Sequence, residues 1–151
     1  MPTDLWDFAK TLYARPGIES ACLQLQASGA DVCLLLTALW LEQRQVACSE
    51  SRSAALQALA GSWQDEVVKP LRQLRLDWRS RAQQDQQLGL LREQVKALEM
   101  QAEKALLGRL QQCSEGWPGE QAGSWLNNLA GAAGRDNRDA LDSLRIAAAT
   151  V

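Results

Sequence analysis

Asp31-Val32-Cys33-Leu34-Leu35-Leu36-Thr37-Ala38-Leu39-Trp40-Leu41-Glu42-Gln43-Arg44 carries a single polar side chain, Thr37, between Val32 and Leu41. In a helix that hydroxyl can bond back to a carbonyl one turn earlier, so the segment is apolar on every side. Such a helix is either the hub of a bundle or a membrane span. A span takes roughly 17–25 apolar residues, and this run stops at Glu42, well short of that. It is therefore expected as a buried central helix over about residues 32–46. Asp31 would cap it, and Gly29 would end whatever precedes it.

Working outward, Thr3 or Asp4 can start a first helix with Leu5, Phe8, Ala9 and Leu12 on one side. Ala14-Arg15-Pro16-Gly17 ends it, and Pro16 opens a second helix whose apolar face is Ile18, Ala21, Cys22 and Leu25. After the hub, a helix from near Ser53 is expected to pause at Gly61-Ser62 and resume at Trp63. Pro70 should kink or break it between about residues 67 and 71. The spacing of Val67, Leu71, Leu74 and Trp78 favours a kinked helix over two separate ones. A long helix is expected over about residues 84–112. Leu88, Leu91, Val95, Leu98, Ala102 and Ala105 keep heptad spacing there, which suits a hairpin with the preceding helix or a homodimer through the 88–105 seam. Ser114-Glu115-Gly116-Trp117-Pro118-Gly119 is the clearest boundary. Beyond it come a short helix over about 120–130, a flexible connector at 131–134, and a last helix over about 137–148. The expectation is an all-α, single-domain helical bundle over residues 1–115, with residues 116–151 as a short helical C-terminal extension.

Composition excludes more than it assigns. The 151 residues include no histidine, which removes Ser-His-Asp and Cys-His chemistry and histidine-based metal sites. Cys22, Cys33, Cys48 and Cys113 form no C-x-x-C pair and read as reduced thiols, so no metal or cofactor is expected. The N-terminus has no basic region followed by an apolar stretch, and with the free cysteines this points to the cytoplasm. A formal charge of −2 offers no whole-chain reason to bind nucleic acid. No phosphate-cradling glycine motif is present.

Three constellations remain. Lys69, Arg72, Arg75, Arg79 and Arg81 face only Asp77, and the 3–4 spacing of Arg72, Arg75 and Arg79 lays a basic strip beside Trp78. The strip with Trp78 is a candidate surface for an acidic partner, and less readily for nucleic acid. A solvated face neutralised by acidic residues of neighbouring helices is the plainer reading of the same strip. Asp136, Asp139 and Asp142 recur every three residues, but at a helix start beside Arg135, Arg138 and Arg145 they read as capping rather than as a cation site. Trp6, Trp40, Trp63 and Trp78 could each line a ligand pocket between helices, or fill the core, and Trp40, Trp63 and Trp78 are the ones taken as the candidate pocket. Trp117 and Trp125, beyond the boundary, could serve docking. The leading reading is a non-enzymatic interaction module using the basic strip. The other is a binder of a small or lipid-like ligand, or a degenerate enzyme, with a Trp-lined pocket.

Three passages also resemble a family of short helical proteobacterial proteins known as a domain of unknown function. They are Asp4-Leu5-Trp6-Asp7-Phe8-Ala9 with Tyr13-Ala14-Arg15-Pro16-Gly17, then Gly29-Ala30-Asp31-Val32-Cys33-Leu34-Leu35-Leu36, and Glu66-Val67-Val68-Lys69-Pro70-Leu71-Arg72. The likeness covers roughly the first two-thirds of the chain and fades after Cys113. It implies a bacterial cytosolic protein in which the Pro70 region is a family feature, and an Asn where Cys33 stands here. It implies no activity, ligand or catalytic residue.

Overall fold

The computed structural model describes residues 4–119 and 123–151, and among these every regular element is helical. In chain order they are α1 (Leu5–Tyr13), α2 (Ile18–Ala27), α3 (Val32–Gln43), α4 (Glu50–Trp63), a π-helical turn (Gln64–Val68), α5 (Lys69–Asp77), α6 (Arg79–Ala82), α7 (Gln86–Cys113), α8 (Trp125–Asp136) and α9 (Arg138–Ala148).

The hub is α3. Every residue from Cys33 to Leu41 is buried, including Thr37, whose hydroxyl donates to the Cys33 carbonyl at 2.7 Å. Asp31 caps it by accepting from the Leu34 amide at 3.2 Å. Each leucine fully buried here contributes roughly 1.5–3 kcal/mol relative to exposure, so this short helix outweighs any surface element. It ends at Gln43 and not near Val46. Gln45 adopts φ 57°, the Val46 amide reaches the Leu41 carbonyl, and the Gln45 amide reaches that of Glu42. That is a Schellman closure, sealed by the buried pair Leu41 and Val46. Its left-handed residue is a glutamine, so no glycine marked the stop.

Two further boundaries differ from the sequence reading. Pro16 lies within the turn, and α2 starts at Ile18 after Gly17, whose φ is 81°. Gly61 does not interrupt α4, which runs from its Ser49 cap into the π turn. Pro70 is accommodated by that turn: the Lys69 amide bonds the Gln64 carbonyl, five residues back. Widening the helix by one residue just ahead of the proline spares the clash and the lost bond that an α-helix would suffer. The α4–π–α5 rod is thus continuous, as the apolar seam suggested.

On α7 the expected seam splits in two. Val95 and Ala102 are buried with Leu106, Leu107 and Leu110, whereas Leu91 and Leu98 are each 50% exposed and Ala105 is exposed. The helix sits in a groove between α1, α3, α4 and α5, so its buried stripe drifts away from strict heptad positions.

Beyond residue 116, Trp125, Leu126, Leu129, Leu141 and Leu144 belong to the same apolar cluster as Phe8, Leu35 and Leu41. The start of the helix expected at Glu120 lies outside the described residues. The 131–134 segment is a packed kink and not a flexible connector. Gly131 takes φ 54°, ψ −134° within α8, and a Cβ on Gly134 would lie 2.7 Å from that of Ala130 and 3.3 Å from Leu141. Only a glycine fits that close to Ala130 across the kink, and Leu141 of α9 packs over it.

Candidate functional site

Between α1, the start of α3, the α4–π–α5 rod and α7 the packing opens into a cleft of about 970 Å³. Trp6, Ala9, Lys10 and Tyr13 come from α1, and Asp31, Val32, Cys33, Leu34 and Leu36 from the start of the hub. Gln64, Lys69, Arg72, Arg75, Glu99, Met100, Glu103 and Leu107 line it from the rod and α7, and Glu19, Leu23 and Gln26 from α2.

Helical spacing explains the charged wall. Arg72 and Arg75 lie one turn apart on α5, and Glu99 and Glu103 one turn apart on α7, so the packed helices bring the four heads together. Arg72 Nε donates to Glu99 Oε1 at 3.0 Å and its Nη2 to Glu103 Oε1 at 3.3 Å. Arg75 Nε reaches Glu99 Oε2 at 2.6 Å. The Glu99 residue is only 8% exposed. Burial pushes its carboxyl up, but the hydrogen bonds and charges of Arg75 and Arg72 prevail and hold it below the usual range. The same bonds raise Arg75. Glu103 shifts the other way: burial raises it, Glu99 and Asp31 add to the rise, and Arg72 only partly offsets them. Asp31 is likewise raised by burial, despite the Leu34 and Cys33 amides, Gln64 and Arg72. Opposite, the Tyr13 phenol is pushed to about 12, chiefly by burial and then by Cys22 and Glu19, so it remains a donor at neutral pH. The inner cluster therefore holds three carboxyls, Asp31, Glu99 and Glu103, against two guanidiniums, Arg72 and Arg75. Asp31 and Glu103 are the two that burial raises on balance.

The basic strip is not a single free surface. Arg72 and Arg75 turn inward onto Glu99 and Glu103, while Lys69 is exposed and paired with Asp65 at 2.8 Å. Arg79 and Arg81 are exposed and form no ion pair among the described residues. Trp78 is half-buried at the end of α5 and does not line the cleft.

Nor do Trp40 and Trp63 line it; of the four tryptophans weighed only Trp6 does, and with Tyr13 it forms the aromatic wall. Trp63 joins helices instead: its Nε1 donates to the Ala102 carbonyl at 2.9 Å, and Arg109 stacks on its ring at 4.1 Å. Trp40 is buried in the hub under Arg44, and its Nε1 finds no acceptor among the described residues. It borders a separate pocket of about 180 Å³ with Gln111, Ser114 and Trp117. Trp125, read from sequence as a docking residue, is fully buried, stacked on Trp117 at 5.8 Å and bonded through Nε1 to the Val46 carbonyl.

All four cysteines are free, with Cys22 and Cys33 buried. Asp136, Asp139 and Asp142 are exposed, and among the described residues no group of three His, Cys, Asp or Glu side chains could share a metal ion. No helix of the described residues is long and apolar enough to cross a membrane.

Sequence reasoning offered Trp6 among four tryptophans, missed Tyr13, Glu99 and Glu103 as cleft residues, and read Asp31 only as a cap. One signal was available. Glu99 falls between Val95 and Ala102 on the apolar stripe, and a carboxylate there needs a cation from a neighbouring helix.

The model of the DUF2390 family, described as a protein of unknown function, matches residues 4–110, and the chain belongs to that family. The matched span contains every residue lining the cleft and ends before α8. No curated protein and no solved structure matches the chain.

Proposed function

We propose, from the premise that this is a DUF2390 protein whose matched span holds the whole cleft, that it is a non-enzymatic binding module for a small amphipathic molecule with a cationic head. The observation carrying the proposal is the cleft itself. Its volume of about 970 Å³ is that of a ligand site, with apolar and aromatic side chains on one wall and an ionic cluster on the other. Trp6, Val32, Leu36 and Leu107 suit an aliphatic or aromatic body. Asp31 and Glu103, whose carboxyls burial raises, suit an ammonium, which would favour their ionised forms. Arg72 and Arg75 already have carboxylate partners, so an anionic head would have to displace Glu99 or Glu103 and leave a carboxyl unpaired in a half-enclosed site.

The test is thermal stabilisation of the protein by alkylamines and by alkyl carboxylates of equal chain length. Amines should raise Tm more, and Asp31→Asn with Glu103→Gln should abolish the difference. Equal stabilisation by both, or none by either, would overturn the reading.

Docking of an acidic partner on the strip now rests on Arg79 and Arg81, with Trp78 beside them, because the two central arginines and Lys69 are engaged. A reducing bacterial cytoplasm, where four free thiols persist, is the setting this reading assumes.

A further inference from the structure

The long helix α7 has a second face that the cleft does not use. Opposite its buried stripe, residues 87, 90, 91, 94, 97, 98, 101, 105 and 108 are all exposed, and none of them is charged. At 3.6 residues per turn they span an arc about 120° wide and about 32 Å long. Leu90 is 64% exposed, and Leu91 and Leu98 are 50% exposed. Solvent-facing arcs of surface helices normally carry the charges, and here Glu93, Lys96 and Lys104 stand outside the arc, while Arg109, just past its end, lies over the Trp63 ring.

We infer that this face pairs with the same face of a second copy of the chain. Leu91, Leu98 and Ala105 recur every seven residues, and Gln87, Gln94 and Gln101 do the same between them. This 3–4 alternation is that of a two-helix seam, with small residues at one end allowing close approach. The chemistry selects the occupant. A charged partner would meet no counter-charge on the arc, and a wholly apolar one would leave the glutamine amides unpaired. A second copy brings matching leucines, no like charge, and amides that both donate and accept. A single seam of this length lies at the small end of specific interfaces, so the dimer forms at roughly micromolar concentration. Since Glu99 and Glu103 project from the other side of α7, pairing leaves the cleft open and does not depend on ligand binding.

Sedimentation equilibrium of the full chain, from the low-micromolar range to several hundred micromolar, tests this. Wild type should show a concentration-dependent dimer. Leu98→Glu and Leu98→Lys should each weaken association at least about tenfold with an unchanged helical circular dichroism spectrum, because position 98 is already half in solvent. Position 98 is the midpoint of the face and meets its own copy in either helix direction, so an equimolar mixture of the two variants should dimerise again. A wild type that stays monomeric throughout, single variants that associate as well as wild type, or a mixture that stays monomeric would each overturn the inference.

Discussion

The two sides of α3 are built by opposite rules. Towards α8 and α9 the packing is close: Trp125 is fully buried, and Gly134 lies against Ala130 across the α8 kink where a methyl group would clash. Its polar contacts lie at the edge or between core side chains, such as Glu42 to Arg145 at 3.6 Å and Trp125 Nε1 to the Val46 carbonyl at 2.7 Å. Towards α1, α5 and α7 the same helix faces a cleft whose wall is held by ion pairs around Glu99 rather than by interlocking leucines. The difference teaches where stability and function reside. A region filled to close packing has no space for a ligand, whereas ionic groups around an open cleft retain coordination capacity and perturbed protonation equilibria.

The largest expected effect breaks the close-packed side. Trp125→Ala should cost about 4 kcal/mol in urea unfolding, through the cavity, the lost stack on Trp117 and the orphaned Val46 carbonyl. An effect below 1 kcal/mol would mean that α8 does not support the hub.

On the cleft side, Glu99→Gln should cost about 2 kcal/mol at pH 7, since it leaves two partly exposed guanidiniums without their shared carboxylate. The pH dependence identifies the cause. Because the folded state holds Glu99 below its unfolded value, its stabilisation is full above the unfolded pKa and is lost as pH falls through the folded one. The gap between variant and wild type should therefore close in acid. A constant gap would assign the loss to packing.

The smallest effect has the opposite slope. Asp31 is raised in the folded state, so its favourable contribution is present below the unfolded pKa and disappears as pH rises through the folded one. Asparagine keeps the cap to Leu34 without ionising. Asp31→Asn should thus be more stable than wild type at pH 7, by under about 1 kcal/mol, with the advantage shrinking as pH falls. A variant less stable at pH 7 would show that the ionised carboxylate is needed.

Much of this comparison was legible in the chain, though unevenly. The hub was readable because nine consecutive buried residues leave no polar face to hide, and Asp31 and Thr37 have local roles that spacing alone specifies. Pro70 announced a disturbance but not its form, since a π turn and a break satisfy the missing amide equally well in sequence. The stop at Gln45 was silent because a left-handed glutamine is set by the packing of Leu41 and Val46, not by backbone preference. The basic strip was visible as residues but not as a site, because whether an arginine faces solvent or a glutamate depends on which helix lies opposite.

Local order therefore determined which segments are helices, which one is buried from all sides, and that histidine-dependent chemistry is absent. Only the tertiary structure decided that Arg72 and Arg75 are bound to Glu99 and Glu103, that Trp6 rather than Trp40 borders the open space, and that Trp125 belongs to the core. The physical reason is range. Helix formation and capping act over three or four residues and are written in periodicity. A cleft is a failure of distant helices to fill the space between them, and that follows only from how all their side-chain volumes and charges meet at once.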